Sequence, residues 1–204
     1  MESLVIIGYS GHAYVVIDAI QPKIIKVLGY CDFQEKKENP FHLKYLGKES
    51  KLILENQNWF VGIGDNYIRK KLINKFYLSE NLHSVFHQTS TISLSSKIGK
   101  GTFLAAQSIV NPLCEIGIGC IINTRAIVEH ECQVSDFVHI APGAVLAGNV
   151  TIGEASFIGA NAVVKQGITI GKDVVIGAGS VIIKDVPDGV TIVGNPGRII
   201  KTKK

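Results

Sequence analysis

The chain has 204 residues, enough for one ordinary domain or two small ones, and 46% of them are hydrophobic while only 19% are charged. This composition excludes intrinsic disorder and indicates that some apolar surface meets another subunit. The formal net charge of +4 is too small for a nucleic-acid reader. Because Glu2 stands where a signal peptide is basic, and no apolar run could span a membrane, we expect a cytoplasmic protein without a membrane partner.

The first part of the chain alternates short apolar strands with helical patterns. Strands are predicted at 4–7, 27–31 and 59–63, and helices at 13–20 and 66–76. Asn66 is placed to cap the second helix. Strands that alternate with helices favour a small parallel sheet, so we predict an α/β domain over residues 1–90.

A different pattern begins at Ile92, where an aliphatic residue recurs at every sixth position. Sixteen consecutive positions hold Ile, Leu or Val, ending at Ile182. This period fits neither a helix nor a hairpin, but it fits a chain in which three short strands close one coil. Residues eighteen apart then stack at about 4.8 Å, and residues 92–182 make about five coils.

A second column, four positions after the aliphatic one, holds mostly small residues. Cys114, Cys120 and Cys132 fall in it, so they are interpreted as buried space-fillers rather than metal ligands. Glycine often follows the aliphatic residue, and we attribute it to positive φ near a corner. The solenoid domain is predicted to cover residues 91–204.

Several motifs accompany the repeat: Gly8-Tyr-Ser-Gly-His12, Cys31-Asp32, Gly64-Asp-Asn66, Val128-Glu-His-Glu-Cys132 and Gly194-Asn-Pro-Gly-Arg198. Together they resemble the family of sialic-acid O-acetyltransferases and nucleotide-linked 4-amino-sugar N-acetyltransferases, such as those of the bacillosamine pathway. The resemblance implies a Rossmann-like α/β domain followed by a left-handed parallel β-helix. It also implies acetyl-CoA as co-substrate and a homotrimer.

His130 is the candidate general base, because acetyl transfer requires a group that takes the acceptor's proton. A lone histidine is weak evidence, but Glu129 and Glu131 flank this one, and a nearby carboxylate raises the basicity of an imidazole. Either glutamate fits the spacing, and the resemblance implies Glu131.

Gly148 follows His130 by eighteen residues and is therefore predicted to stack one coil above it. Its N–H could face the thioester carbonyl, and the resemblance implies that it stabilises the oxyanion. An ordinary corner glycine is the alternative. The resemblance also matches Ala160 and Ala178 to the coenzyme path, although small residues suit the repeat without any coenzyme.

His139 lies nine residues after His130, half a coil onward, and is predicted on a different edge of the prism. One subunit does not obviously bring the two histidines together, whereas prisms packed side by side could. This favours a trimer with sites between subunits. The resemblance implies that His139 contacts acetyl-CoA near the thioester, with a structural hydrogen bond as the alternative.

The loop after the first strand precedes a helix, so its backbone N–H groups can face a phosphate. It lacks the Gly-x-Gly-x-x-Gly pattern, which disfavours a redox dinucleotide. By resemblance, Ser10, Gly11 and His12 belong to the loop that holds a nucleotide sugar.

Three further residues are predicted near the substrate. Asp32 ends a strand and could accept hydrogen bonds from a ribose or a base. The resemblance places Gly64 in a loop over the nucleotide and Asn123 near the sugar. A structural role for a corner asparagine is the alternative.

The leading hypothesis is N-acetylation of the 4-amino group of a UDP- or dTDP-linked dideoxy sugar by direct attack, as a step in glycan or polysaccharide biosynthesis. One alternative is O-acetylation of a sialic-type sugar. Another is a non-catalytic trimeric scaffold that senses a nucleotide. A zinc enzyme would require three converging histidines, and the repeat contains two, so no metal is expected.

Overall fold

The computed structural model describes residues 2–50, 56–76 and 81–202. The first residue of the predicted α/β domain and the last two residues of the predicted solenoid domain therefore lie outside the described ranges. The amino-terminal part contains the strands β1 (Glu2–Ile7), β2 (Ile25–Cys31) and β3 (Asn58–Val61) and the helices α1 (Gly11–Ala19) and α2 (Asn66–Phe76). The three strands are parallel and form a sheet in the order β2-β1-β3. The predicted alternation of strands and helices is therefore confirmed.

The predicted cap of α2 is wrong by one residue. Asp65, not Asn66, caps the helix, because its Oδ1 accepts a hydrogen bond of 2.9 Å from the N–H of Ile68. Asn66 is the first helical residue, and its side chain instead contacts the second half of the molecule. Both residue types suit a cap, so tertiary contacts decide between them.

The second half of the chain is a parallel β-solenoid of short strands that form three sheets. Most strands are two residues long. The strands are β4 (Val85–Phe86), β5 (Thr91–Ile92), β6 (Lys97–Ile98), β7 (Phe103–Leu104), β8 (Ile109–Val110), β9 (Glu115–Ile116), β10 (Ile121–Ile122), β11 (Ile127–Val128), β12 (Gln133–Val134), β13 (His139–Ile140), β14 (Val145–Leu146), β15 (Thr151–Ile152), β16 (Phe157–Ile158), β17 (Val163–Val164), β18 (Thr169–Ile170), β19 (Val175–Ile176), β20 (Val181–Ile182), β21 (Val190–Val193) and β22 (Arg198–Thr202).

The register confirms the predicted stacking of residues eighteen apart, as in the pairing of Ile127 with Val145. The solenoid begins earlier than the predicted start, because β4 pairs with β7 and places Phe86 beside Leu104. Phe86 occupies the hexad position before Ile92, but it is aromatic, so an aliphatic pattern does not detect it. The described coils number about six rather than five.

The glycines that follow the aliphatic residue have a different cause from the predicted one. Positive φ occurs two positions later, for example at Glu131 and Phe137. A Cβ on Gly153 would lie 2.5 Å from the backbone carbon of Gly171 in the next coil. Close approach of stacked coils therefore requires these glycines.

Each sheet of the solenoid presents a different outward face. The polar face, formed by β6, β9, β12, β15 and β18, carries polar residues such as Lys97 and Glu115, which form an ion pair of 2.8 Å. The aliphatic face, formed by β5, β8, β11, β14, β17 and β20, carries Ile109, Ile127, Val145, Val163 and Val181. Val163 is 39% exposed, so apolar surface on this face remains uncovered in the single chain.

The covered face, formed by β4, β7, β10, β13, β16 and β19, packs against the amino-terminal domain. Phe103 and Ile121 on this face are fully buried in one cluster with residues of β1 and α1, such as Leu4, and with Tyr9 in the loop between them. The two halves of the chain thus share a hydrophobic core. Within the described ranges, neither helix has the length and apolarity that crossing a membrane requires.

Candidate active site

His130 lies at the corner that joins the aliphatic face to the polar face. Its Nδ1 is 3.0 Å from Oε2 of Glu131, and about half of each side chain is exposed in the single chain. Glu131 reaches the ring because it holds a φ of +61° at the corner. The backbone carbonyl of Glu129, by contrast, accepts a hydrogen bond from the Cys114 thiol.

Gly148 lies directly against the imidazole of His130. A Cβ on this glycine would overlap Cε1 and lie 2.6 Å from Nε2 of His130. The carbonyl of His130 accepts a hydrogen bond of 2.8 Å from Asn149, which locks the two coils in register. The absence of a side chain at residue 148 therefore gives the ring its position.

The N–H of Gly148 has no hydrogen-bond partner within the described part of the chain. The equivalent corner N–H groups can bind anionic oxygen: Ile118 donates to Oδ1 of Asp136 at 2.7 Å, and Lys172 donates to Oδ1 of Asp188 at 2.8 Å. An open N–H of this geometry beside His130 is able to hold an oxyanion.

Substituting Gly148 by alanine should abolish most activity while leaving the fold intact. The added methyl group displaces the His130 ring, and the corner does not require positive φ at this residue. We expect kcat to fall by on the order of 100-fold, as for a misplaced catalytic group, with an unchanged melting temperature. Gly167→Asn is the matched control, because this residue of the next coil has positive φ and open space around it. Wild-type kcat in Gly148→Ala would contradict the assignment.

A second cluster forms where α1 meets the covered face. The rings of His12 and His139 lie 6.3 Å apart, and the side-chain amide of Asn123 is 3.0 Å from Nε2 of His139. Gly64 borders the cluster, since its Cβ would lie 3.8 Å from His12. Four residues that the sequence predicts for ligand binding are thus brought together.

The pKa values of both imidazoles in this cluster are lowered. Burial, followed by the charge of Arg69, lowers the pKa of His12 to about 4. Burial lowers the pKa of His139 to about 3, with further lowering by Arg69 and His12. His12 Nε2 and His139 Nδ1 are buried without a hydrogen-bond partner among the described residues. His12 therefore retains a nitrogen that a ligand could satisfy, whereas His139 lies close enough to the Gly64 backbone for that contact to raise its pKa in part.

The loop before α1 presents an open helix N-terminus. Ser10 is the N-cap residue, yet its side chain makes no capping hydrogen bond, and the first turn has no acidic residue. Gly11 has open space around its Cα. Free N–H groups and the helix dipole suit a phosphate at this point.

Asp32 lies beside this loop at the carboxyl end of β2. Its carboxylate accepts hydrogen bonds from the N–H groups of Tyr9 and Phe33 and pairs with Lys36 at 3.1 Å. The carboxylate thus shapes the loop. Next to it, a cavity of about 400 Å³ opens at the ends of the strands, between Gly8, Phe33 and other residues. Ligands of open α/β sheets bind at this end.

Ala160 and Ala178 lie on the corner that joins the covered face to the aliphatic face. A groove of about 670 Å³ runs along this corner, lined by Ala160, Pro142, Thr124 and the side chains of Ile127 and Val145. Ala178 stacks one coil above Ala160, where Gly179 donates to the Ala160 carbonyl at 2.8 Å. The groove has room for an extended ligand.

His139 is on a face, not on the predicted edge. It directly precedes the inward-facing Ile140, so strand alternation turns it outward onto the covered face. The corner of His130 joins the other two faces and is therefore opposite His139 in the prism. Within one chain, the two histidines belong to separate clusters.

Arg69 is a residue to which the sequence assigned no role. It is fully buried at the junction of the two halves and makes five hydrogen bonds. An Arg in an amphipathic helix usually indicates a solvated side chain. No pattern in the sequence distinguishes Arg69 from a solvated arginine.

A histidine paired with a carboxylate on a hexapeptide solenoid, beside a small α/β domain, is typical of hexapeptide-repeat acyltransferases. Two family models match: PglD N-terminal domain over residues 3–76, and Bacterial transferase hexapeptide (six repeats) over residues 149–184. No curated protein matches the sequence.

Three solved structures are similar over nearly the whole chain. PerB from Caulobacter crescentus, in complex with CoA and GDP-perosamine, is 35% identical with a TM-score of 0.90, and the match covers 98% of each chain. The acetyltransferase domain of PglB from Neisseria gonorrhoeae is 33% identical with a TM-score of 0.88, covering 98% of this chain and 100% of that one. WeeI from Acinetobacter baumannii is 26% identical with a TM-score of 0.84, covering 98% and 100%. The chain belongs to the family of nucleotide-linked amino-sugar N-acetyltransferases.

Proposed function

We propose that the protein transfers the acetyl group of acetyl-CoA to the 4-amino group of a nucleotide-linked dideoxy sugar. The contact of His130 with Glu131 on one side and Gly148 on the other carries this proposal. The relatives support it: PerB was solved with CoA and GDP-perosamine, and the PglB domain with acetyl coenzyme A.

The reaction needs one base and one oxyanion donor. Because Nδ1 of His130 faces Glu131, Nε2 takes the proton of the amine as its nitrogen attacks the thioester carbon. The new C–N bond leaves a tetrahedral oxyanion, and the Gly148 N–H donates to it. Collapse breaks the C–S bond, and the proton on Nε2 passes to the departing CoA thiolate. No acyl-enzyme is required.

The amino-terminal domain supplies the acceptor site. The open N-terminus of α1, with Ser10 and Gly11, suits the diphosphate, and the cavity beside Asp32 suits the nucleoside. His12 and Asn123 then border the sugar, and His139 beside them contacts acetyl-CoA near the thioester. The groove along Ala160 suits the pantetheine arm of acetyl-CoA, and Ala178 lies one coil further along the same corner.

We also propose a homotrimer in which the aliphatic faces surround a threefold axis. The two corners that border this face carry His130 and Ala160, respectively. In a closed ring, the His130 corner of each copy meets the Ala160 corner of the next. A second copy thus completes the site. The four cysteines are free and buried, as suits a reducing cytoplasm.

A thiol-release assay with purified protein, acetyl-CoA and a panel of UDP-, dTDP-, GDP- and CMP-linked sugars tests the proposed activity. We expect CoA release and an N-acetylated product with a 4-amino sugar, and no release with the matched 4-hydroxy sugar. Transfer to the 4-hydroxy or CMP-linked sugar alone would indicate the O-acetyltransferase alternative. Nucleotide binding without release across the panel would favour the scaffold.

A further inference from the structure

Arg69 connects the amino-terminal domain to the solenoid through hydrogen bonds to neutral acceptors. Its side chain is 0% exposed, and no carboxylate within the described ranges hydrogen-bonds to it. The five acceptors are Gly119 O at 2.7 Å, Ile63 O at 3.1 Å, Gly64 O at 3.0 Å, Asn66 Oδ1 at 2.8 Å and Phe137 O at 3.0 Å. Burying a guanidinium carries a large desolvation cost, which these five hydrogen bonds and the nearby charge of Asp65 offset.

On the solenoid side, α2 contacts the same corner in successive coils. Arg69 donates to the carbonyls of Gly119 and Phe137, which are eighteen residues apart. Asn66 donates to the carbonyl of Ala155 at 3.0 Å, eighteen residues further on. One coil later, the Tyr67 hydroxyl lies 2.9 Å from Oδ1 of Asp173. The helix is thereby fixed along four coils.

On the other side, Arg69 holds the backbone that borders the histidine pair. Its Nη1 donates to the carbonyls of Ile63 and Gly64, and Gly64 borders His12. The same guanidinium lowers the pKa of both His12 and His139, second only to burial. Besides Arg69, His12 is the titratable group that affects His139. Asp65 and Cys120 lie next to Arg69 itself.

We propose that Arg69 is a positioning residue for the acceptor site: it holds the Gly64 loop and His12 in register with β13. Its positive charge adds to burial in disfavouring the protonated forms of His12 and His139. This inference rests on the proposed function for its kinetic consequence. A neutral imidazole can accept a hydrogen bond from a sugar hydroxyl or amine, whereas a protonated one only donates. His12 Nε2 is the atom available for that bond. Nδ1 of His139 carries the proton of that ring, because Nε2 accepts from the side-chain amide of Asn123, whose Oδ1 accepts from Thr124.

Three variants separate the two roles of Arg69. Arg69→Met removes both the charge and the hydrogen-bonding guanidinium group. Arg69→Lys keeps a positive charge but loses the planar guanidinium group. Lys71→Met, the control, removes a charge from an exposed site on the same helix. Histidine side-chain NMR titration of the unliganded protein measures the neutral state directly, and kcat/KM for the sugar nucleotide measures positioning.

In Arg69→Met, we expect both histidines to titrate at higher pH than in the wild type and kcat/KM for the sugar nucleotide to fall. In Arg69→Lys, the titrations should stay as in the wild type while kcat/KM falls by on the order of 100-fold. Lys71→Met should change neither quantity.

Unshifted titrations in folded Arg69→Met would overturn the charge role, and wild-type kcat/KM in Arg69→Lys would overturn the positioning role. If Arg69→Met does not fold, Asn66→Ala decides, because it removes one acceptor of Arg69 and the contact with Ala155 but keeps the charge. Lower kcat/KM with wild-type titrations supports the inference, and unchanged kcat/KM overturns it. The titrations need no substrate, so they stand even if the wild type acetylates none of the sugars.

Discussion

Replacing His130 by alanine is expected to lower kcat by on the order of 100- to 10,000-fold, the usual contribution of a general base. Acetyl-CoA binding, measured by calorimetry, should persist, because the groove along Ala160 is built from other residues. The side chain is half exposed, so its loss leaves no buried cavity and the melting temperature should not change.

Two glutamate variants test which carboxylate supports His130, with Glu129→Gln as the control for Glu131→Gln. Glu131 touches Nδ1 at 3.0 Å, so Glu131→Gln should lower kcat by about tenfold through loss of the carboxylate that stabilises the imidazolium. Glu129→Gln removes the same charge two residues away and should leave kcat unchanged. Full turnover in His130→Ala would assign the base to another residue and refute the proposed mechanism.

Introducing a charge on the aliphatic face should have the second large effect. Val145 lies at the centre of this face, between Ile127 and Val163 in adjacent strands. In Val145→Asp, three carboxylates would be brought together in apolar surroundings around the threefold axis, which is strongly unfavourable. We expect light scattering to report single chains and turnover to fall to background.

Thr151→Asp is the control, because it introduces the same carboxylate in β15, the next strand along the chain, which belongs to the polar face. It should remain trimeric and active. Full activity of a monomeric Val145→Asp protein, or a wild type that is monomeric at assay concentration, would rule out sites between subunits.

Mixed trimers provide a stricter test of shared sites. His130→Ala and Ala160→Trp are each expected to be inactive, the second because the indole fills the groove. If the two corners meet across the interface, equal mixtures refolded together should regain about a quarter of the sites, following random assembly. A site contained in one chain regains none.

The hexad spacing was sufficient to predict the solenoid and the contact of His130 with Gly148, because three strands per coil leave no freedom in which residues stack. The face of His139 also follows from strand alternation, although the nine-residue spacing was interpreted as an edge. Residue spacing within the solenoid therefore carries most of the geometric information.

The junction between the two halves was harder to predict. It depends on how α2 docks on the solenoid, and no local pattern records that contact. Asn66 satisfies the rules for a cap, and Arg69 those for a solvated residue, yet both hydrogen-bond to corner carbonyls. Phe86 escaped notice because it fills an aliphatic position with an aromatic ring.

The three unlike faces of the solenoid limit how the gene can change in length. Deleting one hexad between Gly119 and Phe137 would rotate every later residue by a third of a turn. This rotation would move His139 away from the amino-terminal domain and would turn the later part of the aliphatic face away from the proposed threefold axis. Insertions and deletions in this region should therefore survive selection only as whole coils of eighteen residues, whereas substitutions at the outward positions of the polar face remain free.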